Sequence, residues 1–458
     1  MTANPIEQLR SDLKGRVIEP GDADYDAARA LWNAMIDRRP ALIVRCADAG
    51  DVGPAIRYAR AHDLAIAVRG AGHNIAGNAC CDGGLVIDLG DMTSVSVDAA
   101  QRRALVEPGA TLAAIDAATA PHGLALPVGI NSTTGIAGLT LGGGFGWLTR
   151  KYGMTVDNLL SAEVTLANGD RVHASADDNP DLFWALRGGG GNFGVVTRFE
   201  FQLQPVGPAV YAGLLVFPLQ LAPQLLRQYR DFVAAAPEEL TVWFVLRKAP
   251  PLPFLPEPVH GSDVVVVALC YCGDPAEGEQ LCAPLRQFGE AHGTHLGVMP
   301  LTDWQQAFDP LLTKGARNYW KTHNFSELSD GALDTLVDCA TTLPTGQCEI
   351  FIAHIAGAAN RVAADAMAYG HRDARFVMNV HGRWDDAGDD ARCRAWARDT
   401  FDATRPFASG GAYINFMTED ESARVDDAFG PNLTRLRQVK RHYDPDNAFR
   451  FNQNIQPE

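Results

Sequence analysis

Arg69-Gly70-Ala71-Gly72-His73-Asn74 follows an apolar run, Leu64 to Val68 (LAIAV), that reads as a buried strand. A strand that gives way to glycines lets backbone N–H groups approach an anion with no side chain between them. A histidine in such a loop is placed against a ligand; the plainer alternative is a histidine hydrogen-bonded within a tight turn. Two further glycine runs lie downstream, Gly142-Gly143-Gly144-Phe145-Gly146 and Gly188 to Gly191. Three phosphate-compatible loops imply one large, multiply anchored cofactor.

At 458 residues the chain is long enough for two domains, or for one large domain with an insertion. A composition of 47% hydrophobic and 21% charged residues supports sizeable cores and excludes a disordered chain. A formal net charge of -16 argues against nucleic acid or an anionic membrane as partner, since both require a basic face. The stretch MTANPIEQLRSDLKG has no basic segment followed by an apolar one, so no secretory leader is expected. No apolar run reaches the roughly 18 residues of a membrane span. Nine scattered cysteines, including the adjacent Cys80-Cys81 and the Cys270-x-Cys272 pair, lack zinc spacing. They read as reduced thiols of a cytoplasmic protein with no metal site, and Asn131, Asn324 and Asn432 as chance N-x-[ST] matches.

Helical spacing over Asp24 to Arg38 and Asp51 to His62, each before a short β-rich run, predicts an α/β layer. Strand-and-turn patterning follows from Leu85 to Val106, then a helix over Leu112 to His122. A hairpin is predicted from Ser161–Leu166 through Asn168-Gly169 to Arg171–Ala174. Residues 1–205 thus read as one α+β unit. The proline-rich Ala249 to Pro258 is a loop within the next region. Around it lie strand-like runs at Val210 to Phe217, Leu240 to Arg247, Val264 to Tyr271, Glu349 to Ile355 and Arg375 to Trp384. Helical segments at Leu219 to Ala235 and Ala276 to His292 predict an antiparallel sheet covered by helices on one face.

Gly189-x-Gly191-x-x-Gly194 matches a dinucleotide fingerprint, but a helix-like run (Asp181 to Arg187) precedes it and a strand-like run (Val195 to Leu203) follows. That order is the reverse of the one required, so a Rossmann site is not expected. The ordered motifs instead resemble the berberine bridge enzyme-like FAD-linked oxidases of the vanillyl-alcohol oxidase superfamily, which carry a PCMH-type FAD-binding domain. The matching residues are Val68 to Asn74, Val106 to Leu112, Gly142 to Gly153, Asp157-Asn158, Asp181 to Thr197 and Tyr443 to Ile455. The resemblance spans the chain with a weaker middle. It implies a two-part FAD-binding domain at 1–205, a substrate domain at 206–410, and a segment at 411–458 that returns to complete the FAD site.

The resemblance implies FAD held by Arg69, Gly70, Ala71, Gly72, His73, Asn74 and Asn78, and by Pro127, Gly129, Thr133, Thr134, Gly135, Gly138 and Leu139. It adds Gly142, Gly143, Gly146, Trp147, Gly191, Gly194, Val195 and Val196, and from the C-terminal part Tyr413, Asn415, Asn452 and Asn454. His73 would bond covalently to the flavin 8α-methyl. Many members make a second bond from a cysteine, but Asn131 stands at that position and no cysteine lies between Cys81 and Cys270. A single attachment is expected. Asn452 and Asn454 alternate on one strand face, and amides suit the donors and acceptors of the flavin's pyrimidine edge. Thr134, where the family controls oxygen access, allows dioxygen as acceptor with H2O2 as product.

Tyrosines that some members use are Ile75 and Phe145 here. The proton acceptor for oxidation of an alcohol, sugar or amine C–H bond must therefore come from Tyr413 or from the strand Arg375 to Trp384. Tyr413 needs a lowered pKa for that role; its alternative is to cap a core strand. On the strand, Phe376, Met378 and Val380 share the face expected to meet helices, while Asn379 and His381 point at the flavin. Asn379 can orient a hydroxyl but cannot be a base. His381 titrates in a useful range, or is an exposed strand-end histidine. A dehydrogenase with another acceptor and a flavin-bearing binding protein remain the competing readings. Substrate identity and oligomeric state are left open.

Overall fold

Short apolar strands that read as continuous hydrophobic runs are buried on both faces, which is what a parallel sheet requires. The structure, a computed structural model, describes residues 5–458; Met1 to Asn4 of the stretch read above for a leader lie outside the described residues. The strands Arg16–Ile18, Leu42–Arg45, Leu85–Asp88 and Ile66–Arg69 form one sheet in that order, the last three mutually parallel. Val44 and Ile87 pack on one side with the helix Val52–Ala61; Ile43 and Val86 pack on the other with Tyr25 and Leu31. The glycine loop leaves this sheet at its C-terminal edge, at Arg69.

A second sheet is antiparallel, with strands in the order Val95–Asp98, Arg103–Val106, Val195–Gln202, Leu159–Thr165 and Arg171–Ser175. Its core includes the helices Leu112–Thr119 and Pro180–Leu186. A third, seven-stranded antiparallel sheet runs in the order Gly293–Pro300, Ala209–Pro218, Asp263–Tyr271, Leu240–Lys248, Glu349–His354, Phe376–Trp384 and Arg317–Phe325. Helices Ala222–Ala235, Asp330–Ala340 and Asp390–Thr404 bury one face with Phe376, Met378 and Val380, as alternation predicted. The α+β class with a helix-covered antiparallel sheet is therefore the observed one. Among the described residues no helix is long and apolar enough to cross a membrane, and no group of three or more metal-binding side chains is present.

Three local expectations are corrected. The helix predicted over Asp24 to Arg38 spans only Tyr25–Arg29. Beyond it the backbone is claimed by tertiary bonds: Trp32 N–H donates to Gly72 O (3.1 Å) and Ala34 N–H to Ala316 O (3.0 Å). The helix predicted over Ala276 to His292 stops at Cys282, and a 3-10 turn takes over at Ala283–Gln287, because Pro284 cannot donate to the preceding turn. The strands Gly293–Pro300 and Arg317–Phe325 were not expected, since their polar and apolar residues alternate poorly.

Candidate active site

The seven-stranded sheet turns its uncovered face to the glycine loop, and the space between them is the main cavity, about 270 Å³ against about 10 Å³ for a second one. Strand register places its polar groups. Arg247 pairs with Glu349, Glu349 with His381, and His381 with Trp320, so four adjacent strands deliver one transverse row to the cavity. Arg247 Nη1 lies 2.6 Å from Glu349 Oε2, and His381 Nδ1 lies 3.2 Å from Glu349 Oε1. His381 Nε2 is 3.3 Å from Asn318 Oδ1. Around this row the walls are apolar, with Leu214, Val245, Val266 and Phe351 from the sheet and Phe308 and Leu312 from the segment that crosses it.

Burial disfavours the Glu349 carboxylate, but Arg247 and the bond to His381 outweigh that and hold it at about 2. Burial pushes His381 down, opposed by Glu349, while Arg383 and Arg247 add to the lowering. At neutral pH the row therefore holds an ionised glutamate beside a neutral imidazole. His381 is 5% exposed, which replaces the reading of an exposed strand-end histidine. Asn379 also faces the cavity, and its Oδ1 is buried with no hydrogen-bond partner among the described residues.

Tyr413 is fully buried between Phe145 and Phe416, each ring 4.9 Å away. Its hydroxyl oxygen accepts from Gly144 N–H (3.0 Å) and from Asn415 Nδ2 (3.1 Å). Burial pushes its pKa up to about 12 even against those two bonds. This corrects the expectation of a general base with a lowered pKa: Tyr413 fastens the Gly142–Gly146 loop to the cavity wall.

Of the three glycine runs, the first forms a wall of the cavity through Ala71, Gly72, His73 and Asn74, and the second reaches it through Phe145. Gly72 has φ +76°, a conformation that favours glycine. Arg69 belongs to no anion site. Its guanidinium is buried and bidentate on Asp88, at 2.7 and 3.2 Å, and fixes the root of the loop. In the second run, a Cβ on Gly142 would meet the Asn415 side chain, one on Gly143 Met154 and Tyr369, and one on Gly146 the Val128 carbonyl at 1.9 Å. That run is a packing loop, which corrects its reading as phosphate-compatible. In the third, Gly194 is tight against Val164 and Thr165, and Val195 and Val196 are strand-core residues, while the Cβ direction of Gly191 is open.

Gly129, Thr134, Gly135, Gly138, Leu139, Trp147 and Asn415 line the cavity with the first loop, whereas Gly70, Asn78, Pro127 and Thr133 do not. Asn78 N–H donates to Asn74 Oδ1 (3.0 Å), and Pro127 O accepts from Thr155 (2.6 Å). Asn452 Nδ2 donates to Gly191 O (3.1 Å), and Ile455 N–H donates to Asn192 Oδ1 (3.0 Å). That brings the end of the chain to the third run.

A flavin dinucleotide needs open backbone, polar partners for its ring edge and a flat wall, and the residues present fit it. Asn452 Oδ1, Gln453 Nε2 and Asn454 Oδ1 are buried without partners among the described residues. A Cβ added at Gly138 or Gly191 would meet nothing within 4 Å. His73 is stacked on Trp32, with ring centroids 5.1 Å apart and planes at 23°. A Gly138→Val chain is expected to fold with wild-type stability but to bind FAD about 10- to 100-fold more weakly, the equivalent of a 1–3 kcal/mol overpacking cost. Denaturation of the flavin-free chain and FAD titration measure the two effects separately; parallel losses in both would show that Gly138 serves packing instead.

Sequence reasoning missed Trp32, Arg247, Trp320 and Glu349. Trp32 falls inside the helix expected over Asp24 to Arg38, and the other three emerge only from strand register. Glu349 carries a signal, a lone acidic residue opening a mostly apolar strand.

Residues 40–175 match the family described as FAD binding domain, and residues 412–456 match the family described as berberine and berberine like. The chain is 31% identical over 470 residues to the (R)-6-hydroxynicotine oxidase of Paenarthrobacter nicotinovorans, covering 97% of each. Its structure is similar to that of 6-hydroxy-D-nicotine oxidase from Arthrobacter nicotinovorans, with TM-score 0.86, 28% identity and 100% of both chains covered. It also shares its fold with glucooligosaccharide oxidase from Acremonium strictum, which carries a 6-S-cysteinyl, 8α-N1-histidyl FAD. There the TM-score is 0.88 at 22% identity, over 99% of this chain and 100% of that one.

Proposed function

The chain belongs to the berberine-like family of FAD-linked oxidoreductases, and on that premise we propose that it oxidises a C–H bond next to the nitrogen or oxygen of a small, ring-bearing amine or alcohol. The observation that carries this is the cavity lining: aromatic and aliphatic walls around a single polar row. Such walls bury rings and methylenes, and a few placed polar groups fix orientation. An oligosaccharide brings many hydroxyls, and most would be left unpaired against Val245, Val266, Leu214 and Phe351 at a cost of about 1–3 kcal/mol each.

Bound through His73, the FAD would supply the hydride acceptor. We take the His381–Glu349 pair, with Glu349 kept ionised by Arg247, as the acceptor of the substrate's N–H or O–H proton. Asn379, with its unpartnered Oδ1, orients the group that carries the proton. Trp32 and Trp320 close the cavity between His73 and His381, with Trp320 in edge contact with both Trp32 (5.9 Å) and His381 (4.6 Å). Thr134 on the cavity wall leaves room for dioxygen, which we take as the second substrate, giving H2O2.

The test is anaerobic bleaching of the bound flavin by a panel of aromatic and heteroaromatic amines and alcohols beside cello- and chito-oligosaccharides. Reduction by the ring-bearing compounds, followed by H2O2 on admission of air, is expected. Reduction by the sugars alone would overturn the substrate class, and turnover only with an artificial dye would overturn dioxygen as acceptor.

A further inference from the structure

Thr133 and Asn131 hold His73 in a single proton arrangement, and the assignment follows from donors alone. The backbone N–H of Thr133 donates to Asn131 Oδ1 at 3.1 Å. An N–H group can only donate, so that end of the amide is its carbonyl oxygen. The Thr133 hydroxyl lies 2.7 Å from the same oxygen and donates its one hydrogen there. Its lone pairs are left facing His73 Nε2 at 3.1 Å, so Nε2 must carry the ring hydrogen. Burial, and then the Lys314 ammonium, push the imidazole down to about 4, so the ring is neutral at pH 7 and Nδ1 keeps its lone pair. Trp32 fixes the plane of the ring by stacking on it.

We propose that Thr133 and Asn131 are positioning residues for cofactor attachment: they hold His73 as the Nε2–H tautomer, so that Nδ1 is the atom that bonds to the flavin 8α carbon. This rests on the reading of His73 as the tether. In attachment the Nδ1 lone pair forms the new C–N bond and a C–H bond of the 8α-methyl breaks. The proton and electron pair of that bond pass to the isoalloxazine ring, the oxidant in this step, and dioxygen afterwards takes the two electrons as H2O2. The Nε2–H remains on Thr133 throughout, where its hydroxyl shares the positive charge that the alkylated ring acquires. Asn131, at the position where many relatives place a second covalent bond, acts here through its carbonyl oxygen.

Purified wild-type, Thr133→Ser, Thr133→Val and Asn131→Leu chains are loaded with FAD, and acid-stable flavin is followed with time by fluorescence of the precipitated protein. The histidyl-flavin released by proteolysis is then assigned by NMR to Nδ1 or Nε2. Wild type and Thr133→Ser are expected to attach through Nδ1. Thr133→Val, which keeps the side chain's shape, and Asn131→Leu should still bind FAD, but attach it about 10-fold more slowly, as loss of a partner that orients an imidazole does elsewhere. Attachment of Thr133→Val and Asn131→Leu at the wild-type rate, or wild-type attachment through Nε2, overturns the proposal; the second readout needs no variant to fold. Wild-type protein with no acid-stable flavin would instead remove the tether reading beneath it.

Discussion

His73→Ala is expected to abolish covalent flavin completely. Wild-type protein should be yellow, and its colour should stay with the pellet after acid precipitation; the variant's pellet should be colourless. The expectation rests on position as much as residue type. His73 is held between Trp32 and Thr133 on the cavity wall. Intact-mass measurement of the wild-type chain should show one FAD adduct, and digestion should show one crosslinked peptide. None of the nine cysteines lines the cavity, whereas Asn131 does. A second crosslinked peptide in the digest would contradict single attachment, and an acid-stable yellow His73→Ala chain would contradict the tether itself. Loss of the tether also removes a substituent that raises the flavin's potential, so residual activity with added FAD should fall together with the potential measured by dye equilibration.

The parts of the site that were legible in the sequence are those that depend on local periodicity. Asn379 and His381 reach the cavity because a strand alternates its side chains, and Phe376, Met378 and Val380 mark the opposite face. The loop at Gly70 to Asn74 was legible because a strand running into glycines has few other uses. Where the structure departs, a longer-range effect wins. Trp32 fits a helical stripe, yet its backbone N–H is taken by Gly72 O and its indole donates to Leu312 O (3.2 Å), partners far away in sequence. Glu349 and Arg247 are 102 residues apart, and only the antiparallel register of three strands sets them beside His381. The Gly142–Gly146 run shows that glycines are equally demanded where two protein surfaces meet closely, here Val128 and Met154. Tyr413 illustrates the remaining difficulty: residue type allows a base, and only its two donors and complete burial assign it to anchoring.

The largest stability loss is expected from Lys440→Met. Lys440 sits on the helix Leu433–Tyr443 with its ammonium fully buried, 2.6 Å from Asp444 Oδ2. Its other hydrogens go to Asn192 O (2.7 Å) and Phe449 O (2.9 Å). Asp444 in turn accepts from the backbone N–H groups of Ala448 (2.8 Å) and Phe449 (2.9 Å). One buried pair therefore ties the third glycine run to the segment bearing Asn452 and Asn454. Removing the ammonium leaves a buried carboxylate without its counter-charge, at a cost of about 3–5 kcal/mol. The comparison is Arg60→Ala, which breaks the exposed Arg60–Asp446 pair and should cost no more than about 1 kcal/mol. Because the same bonds set the segment bearing Asn452 and Asn454, Lys440→Met should also weaken FAD binding before covalent capture, whereas Arg60→Ala should not. Adding Asp444→Leu to Lys440→Met removes the stranded charge and should recover much of the folding energy, yet not the flavin affinity, since Phe449 and Asn192 still lack their common donor. Denaturant unfolding and FAD titration of the three variants separate these outcomes. Equal losses for Lys440→Met and Arg60→Ala would show that the buried pair contributes nothing special to the closure of the site.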